Sequence, residues 1–339
     1  MAGGTVAAGV TRRVLELAIA RGAGGGEALL ERSGLTRSDL ADHDDRVPLE
    51  AHIALLRAAG ELCDDPAFAL HYGEAVNLAE VSVVGLIGYA SETMADAFVQ
   101  LARYSRLIVD LDLGPGERFR LDRDREGLWI VDGRPDPNRY PELTEAAFAQ
   151  MVSGTRRFGD TPFVQEVRVT HPDPGYRSEY ERILGAPVAF GSERNAMRID
   201  PAWVNRRIAL EPRYVFGILS RHADALLDRL NAEATTRGRV ERLILPALHK
   251  GDSGMAAAAA ALGCSRDTLY RRLKAEGTTF ERVLDDLRRR LALDYLAGGK
   301  VSVNETAYLV GFSDPAAFSR AFKRWTGRSP REMRGRAGE

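Results

Sequence analysis

The sequence predicts two domains of different fold class. The first is an α+β domain over residues 1–210; beyond a helical linker over 211–235, an all-α domain over 236–339 holds two helix-turn-helix units joined by a long helix. Three observations predict this division. Residues 1–235 carry 27 Lys and Arg against 36 Asp and Glu, a net of −9, whereas residues 236–339 carry 20 against 12, a net of +8. Apolar spacing changes from three-and-four to alternation near residue 111 and returns to three-and-four beyond residue 213. The basic third also contains a degenerate internal repeat.

With 339 residues, 45% of them hydrophobic and 28% charged, the chain can build two cores and has the balance of an ordinary globular protein. It contains no apolar run near the ~20 residues needed to span a bilayer. The opening MAGGTVAAGV lacks the basic start and long apolar stretch of a signal peptide, so a cytoplasmic location and no membrane partner are expected. Cys63 and Cys264 match neither a disulfide framework nor a metal spacing, and both are read as reduced, apolar residues.

Helical periodicity runs through VTRRVLELAIA, LEAHIALLRAAGELC and MADAFVQLARYSRLIV; Thr93 followed by Asp96 suits a helix start for the last. RFRLDRDREGLWIVDG alternates around a Gly-containing turn and predicts a β-hairpin. A helix over 141–157, a strand in PFVQEVRVTH, a helix in YRSEYERIL and short strands around APVAF and NAMRI complete the α+β domain. Pro212 then starts a helix through VFGILSRHADALLDRLNAEA. Its apolar stripe, from Val215 and Ile218 through Ala223 to Leu230, suits either an intramolecular core or the seam of a homodimer.

In the repeat, Ala259, Gly263 and Ser265 recur 48 positions later as Ala307, Gly311 and Ser313; Leu269, Leu273 and Lys274 recur 49 positions later as Phe318, Phe322 and Lys323. Each copy has a helix with a small inner-face residue, a glycine turn, and a second helix capped by Ser or Asp: a helix-turn-helix. In the first copy Leu269 and Leu273 point inward, leaving Ser265, Arg266, Thr268, Tyr270, Arg271 and Lys274 for double-stranded DNA. Asp267, four before Arg271, reads as its helical salt-bridge partner, with aiming of Arg271 at a base edge as the sharper alternative.

In the second copy Phe318, Phe322 and Trp325 hold the helix down. Ser313, Ala316, Ala317, Ser319 and Arg320 then face out near its N-terminus, where short side chains allow close approach and Arg320 can bond a guanine. Lys323, Arg324 and Arg328 suit phosphates. Between the copies, Phe280 to Leu296 reads as one helix ended by Gly298 and Gly299; 17 residues at ~1.5 Å each give a spacer of ~25 Å. Such a spacer suits recognition helices in adjacent major grooves, a bipartite site read by one chain.

AAALGCSRDTLYRRLK, LRRRLALDYL and ETAYLVGFSDPAAFSRAFKRWTGRSPREMR, with the closing Gly327, Ser329, Pro330 and Arg334, resemble the DNA-binding domain of the AraC/XylS family of transcription regulators. Cys264 stands where other apolar residues are usual, and Pro315 where a polar residue is common. VTHPDPGYRSEYERILGAPVAFGSERNAMRID and SVVGLIGYASETMADAFVQLARYSRLI are similar to the non-cupin N-terminal domain of a branch that includes regulators of ornithine use and of virulence genes. The resemblance implies sequence-specific regulation, RNA polymerase as a partner, and an N-terminal domain that binds a small-molecule effector or mediates oligomerisation. It does not name the effector or its residues.

No catalytic constellation is present and no cofactor is expected. His171 and His222 lack the companions of a metal site. The glycine run at 22–26 lacks a preceding strand and reads as an interhelical loop. Ser82, Ser91 and Ser153 lie outside any G-x-S-x-G elbow. Arg103, Tyr104 and Arg106 are candidates for a ligand pocket, against the simpler reading of a solvated helix face. The alternatives to an effector-responsive regulator are a front domain that only dimerises and an enzyme fused to a DNA-binding domain. Acidic neighbours in ELCDDP would raise rather than lower the pKa of Cys63, which disfavours the enzyme.

Overall fold

The computed structural model describes residues 4–111, 113, 117–159, 161–208, 213–250, 254–297 and 301–334. The chain forms two units, Met1–Leu227 and Asp228–Glu339. The first opens with β1 (Thr5–Ala7), α1 (Ala8–Ala20), α2 (Glu27–Ser33), β2 (Arg46–Pro48), α3 (Leu49–Leu62) and α4 (Phe68–Ala75). It continues through α5 (Leu78–Val81), α6 (Val83–Ala90), α7 (Met94–Ile108) and β3 (Val109–Asp110). The three long helices stand where the periodicity put them, and Thr93 and Asp96 form the reciprocal capping box that starts α7. The glycine run is the loop between α1 and α2, with Gly22, Gly24 and Gly26 at positive φ.

The hairpin is β4 (Phe119–Arg123) and β5 (Leu128–Asp132), paired from Phe119↔Asp132 to Arg123↔Leu128. Its turn closes because the Asp124 carboxylate accepts from the Glu126 and Gly127 amides while Gly127 takes φ 147°. Then come α8 (Glu142–Thr155), β6 (Val164–Arg168), α9 (Arg177–Leu184), β7 (Val188–Ala189) and β8 (Asn195–Ile199). The five strands lie in the order β4-β5-β8-β6-β7, antiparallel except for β6 with β7. One face packs on α8 and α9 through Ile130, Phe148, Val167, Tyr180, Ile183 and Met197. On the other, Trp129 lies between the Arg168 and Arg194 guanidinium groups, 4.6 and 4.7 Å from its ring. The N-terminal α+β class is therefore as the sequence predicted.

One sheet was not legible. β1, β2 and β3 pair in the order β2-β1-β3, and strands of two or three residues are too short to show alternation.

α10 (Arg213–Ala234) leads into the second unit, which contains α11 (Thr236–Ile244), α12 (Met255–Ala261), α13 (Arg266–Ala275), α14 (Phe280–Ala297), α15 (Val303–Leu309), α16 (Pro315–Thr326) and α17 (Pro330–Arg334). Along α10, Ala223 and Leu230 are buried but Ile218 is exposed. Pro212, Gly298 and Gly299, expected to begin α10 and end α14, and the side chain of Arg334 lie outside the described residues. Among the described residues no helix is long and apolar enough to cross a membrane.

Candidate nucleic-acid interface

α14 is the shared spine of two separate cores. Its first half contributes Phe280, Val283 and Leu287 to a cluster with Leu269 and Leu273 of α13, Ala259 of α12 and Val240 of α11. Its second half contributes Ala292 and Leu296 to a cluster with Ala307 of α15 and Phe318 and Phe322 of α16. Ala259 and Ala307 are both buried. As small residues at the crossing, they let α12 approach α13 and α15 approach α16.

The two turns repeat atom for atom in their backbone bonding. The Gly263 amide donates to Ala260 and that of Cys264 to Ala259; likewise Gly311 donates to Tyr308 and Phe312 to Ala307. The glycines sit at φ 62° and 81°, where an L side chain is strained, so the sequence must place glycine at both. The caps differ. Ser265 Oγ accepts from the Thr268 amide, whereas in the second copy the cap is Asp314, not Ser313: its carboxylate accepts from Ala316 at 2.9 Å and Ala317 at 3.0 Å. These two amides, and then Arg320, hold the Asp314 carboxyl below its ordinary pKa.

On α13, Ser265, Arg266, Tyr270, Arg271 and Lys274 are exposed and Thr268 is half-buried. Arg271 and Asp267 form the 2.8 Å salt bridge that their spacing predicts. On α16, Pro315 occupies the first turn, and Ser313, Ala316, Arg320, Lys323, Arg324 and Arg328 are exposed. Ala317 and Ser319 are half-buried; the Ser319 hydroxyl donates to the Pro315 carbonyl at 2.9 Å. Arg320 lies 3.8 Å from Asp314, and Arg324 is 3.0 Å from Asp285 of α14.

Sequence reasoning missed Arg288 of α14, which pins the second turn. Its Nη2 donates to the Gly311 carbonyl at 3.2 Å, and its guanidinium stacks on Phe312 at 4.7 Å. Burial lowers its pKa, and Asp285 opposes that shift. In the sequence it is one arginine of RRR, with nothing to set it apart from its exposed neighbours.

The other candidates take structural partners. Arg103 Nη2 and the Tyr104 hydroxyl both donate to Asp224 Oδ1, at 2.8 and 2.7 Å, and Arg106 pairs with Asp110 at 2.7 Å. Buried His171 lies between the Tyr180 hydroxyl and the Pro172 carbonyl. The described residues contain no group of His, Cys, Asp and Glu able to hold a metal ion. Cys63 is half-buried, and burial first and Asp65 second push its thiol pKa up, away from thiolate chemistry.

Residues 25–208 match the family described as the arabinose-binding domain of AraC transcription regulators, N-terminal, and residues 258–336 match a helix-turn-helix domain family. The ornithine utilization regulator of Pseudomonas aeruginosa is 32% identical over 286 residues, covering 83% of this chain and 82% of its own length. The chain belongs to the AraC family of transcription regulators. Its resemblance to the AraC/XylS type and its DNA-binding, regulatory function stand on these matches. VirS of Mycobacterium tuberculosis, another regulator with a helix-turn-helix, is 27% identical over 293 residues, 86% of this chain and 85% of its own. The crystal structure of transcriptional regulator CdpR from P. aeruginosa covers 80% of this chain and 87% of its own at 22% identity and a TM-score of 0.38, a likeness too distant to bear on function.

Proposed function

We propose that α13 and α16 are the two reading heads of this regulator and occupy adjacent major grooves of a bipartite site. What supports this most is the duplicated corner: in each copy a glycine at positive φ and an N-terminal cap orient a helix whose inner face is apolar and whose outer face is cationic. Arg320, exposed near the N-terminal end of α16 and beside the short Ala316 and Ala317, reads a guanine; Arg271 reads a base from α13. Arg266, Lys274, Lys323, Arg324 and Arg328 bind phosphates, and Ser265, Ser313, Thr268, Tyr270 and Ser319 complete the two surfaces. A mobility-shift assay of the full chain against DNA upstream of its own coding region should give a complex that survives a large excess of competitor DNA. Equal binding to every sequence would overturn this assignment.

We infer that the N-terminal unit holds a small-molecule effector whose unequal affinity for two states changes the regulator's affinity for DNA. The name of the ornithine-utilisation relative makes amino acids one class to screen. Homodimerisation through the face of α10 bearing exposed Tyr214 and Ile218 fits the same scheme, and RNA polymerase is the partner at the promoter. Sedimentation that gives a monomer at all concentrations would remove the dimer.

A further inference from the structure

The N-terminal unit contains a cavity of about 240 Å³ walled by the end of α4, by α5, α6, α7 and α8, and by the five-stranded sheet. Its apolar surface includes Phe98 and Leu101 of α7, Met151 of α8, Ile130 of β5 and Ile199 of β8. Three helical glycines also line it, and only one has a packing reason. A Cβ on Gly85 would collide with the Leu78–Ala79 backbone, whereas a Cβ on Gly88 or Gly154 meets no atom within 4 Å. Neither Gly88 nor Gly154 has positive φ, and glycine is disfavoured in helices. What their missing side chains supply is room in the cavity.

Polar groups collect around one part of the lining. The Ser153 hydroxyl is buried without a hydrogen-bond partner, a costly state unless something else satisfies it. Arg157, four residues on, is exposed with its guanidinium 5.4 Å from the Tyr89 ring, and no described carboxylate lies within ion-pair distance of it. The carboxylate of the described lining, Glu74, is held by Arg156 and Arg182 at 3.4 and 3.0 Å. A ligand ammonium therefore finds no free anion, while a ligand anion finds a hydroxyl donor and a cation whose partner among the described residues is the neutral Tyr89 side chain rather than an acid.

Resting on the effector reading of this unit, we propose that the cavity binds a monocarboxylic acid with an aliphatic or aromatic body, its carboxylate at Arg157 and Ser153 and its body against Phe98, Leu101 and Met151. A dry cavity of about 150 Å³ holds benzene, with six heavy atoms, so this one takes a ligand of about ten.

The test is thermal unfolding of the full chain with octanoate, with 3-phenylpropanoate and with octanamide, the neutral isostere of octanoate. Both acids raise Tm in a saturable, concentration-dependent way. Arg157→Gln weakens octanoate at least tenfold and leaves octanamide within twofold. Gly154→Leu fills the cavity and removes the shift while unliganded Tm holds; Gly88→Leu, on another wall, does the same should Gly154→Leu not fold. No shift with either acid, an undiminished shift in the folded leucine variants, or equal loss of octanoate and octanamide in Arg157→Gln overturns the proposal. Octanoate that binds the cavity yet leaves DNA affinity unchanged overturns the effector reading and leaves the binding site standing.

Discussion

Gly263 and Gly311 occupy equivalent corners with the same backbone bonds, yet their alanine variants should differ sharply. Gly263 has φ 62° and open space around an added Cβ; Gly311 has φ 81°, and its Cβ would press well inside contact distance of the Leu248 carbonyl oxygen, with Arg288 Nη2 at 3.3 Å. Left-handed backbone costs an L residue about 1–2 kcal/mol at either corner. Forcing a methyl against backbone adds about 1–3 kcal/mol at Gly311 alone. Gly311→Ala should therefore cost about 2–5 kcal/mol and Gly263→Ala about 1–2. Hydrogen–deuterium exchange on the full chain reads each head separately. In Gly311→Ala the α16 amides should lose roughly ten times more protection than the α13 amides lose in Gly263→Ala, since about 1.4 kcal/mol is tenfold in an opening equilibrium. Equal losses, or a larger loss in Gly263→Ala, would refute the claim that Leu248 and Arg288 make the second corner the more constrained.

Asp314→Ala should destabilise the second head by about 0.5–2 kcal/mol, because two amides lose their acceptor, and Asp314→Asn should recover most of it; α16 exchange rates report both. Arg320→Ala should weaken specific binding by about 1–3 kcal/mol and relax preference in one half of the site, whereas Lys323→Ala should weaken binding to all sequences alike; competition shifts with single-base operator variants separate the two. Burial first, and the charge of Arg118 second, lower the pKa of His52 from 6.5 to about 4. The unfolded chain then binds the extra proton, so this contribution is present above pH ~6.5 and is lost as pH falls toward ~4, on the order of 3 kcal/mol in all. Urea unfolding of the N-terminal unit across that range should show the loss, and His52→Gln should flatten it.

The paired heads were legible because a helix-turn-helix restricts its residues so tightly. Ala259, Gly263, Leu269 and Leu273 each occupy a place few other residues fill, and the second copy repeats the demand. The α+β class was legible from periodicity in the long helices and the hairpin. β5 departs from half-buried alternation, since all five residues from Leu128 to Asp132 are buried; it is an interior strand with Trp129 covered by two arginines, a cover contributed by β6 and the segment before β8. The cavity could not be read because its walls come from segments between Glu74 and Ile208. Gly88 and Gly154 look like ordinary helical glycines until their surroundings are known. Arg103 and Tyr104 looked available for a ligand because Asp224, which engages both, lies far along the chain, whereas the pairing of Arg106 with Asp110 is an i,i+4 spacing that the sequence carries.

Three basic side chains assigned to the duplex already hold an acid from their own polypeptide: Arg271 with Asp267, Arg320 with Asp314, and Arg324 with Asp285. A tethered acid has a local concentration that dilution cannot lower and added chloride barely changes. Docking must exchange it for a phosphate or a base edge, and the evicted carboxylate stays close by. The slope of log affinity against log salt should then understate the number of cations at the interface. Random DNA suffers most at Arg271 and Arg320, since without a matching base it offers these two little that the resident acids do not, whereas Arg324 meets the same phosphates on every sequence.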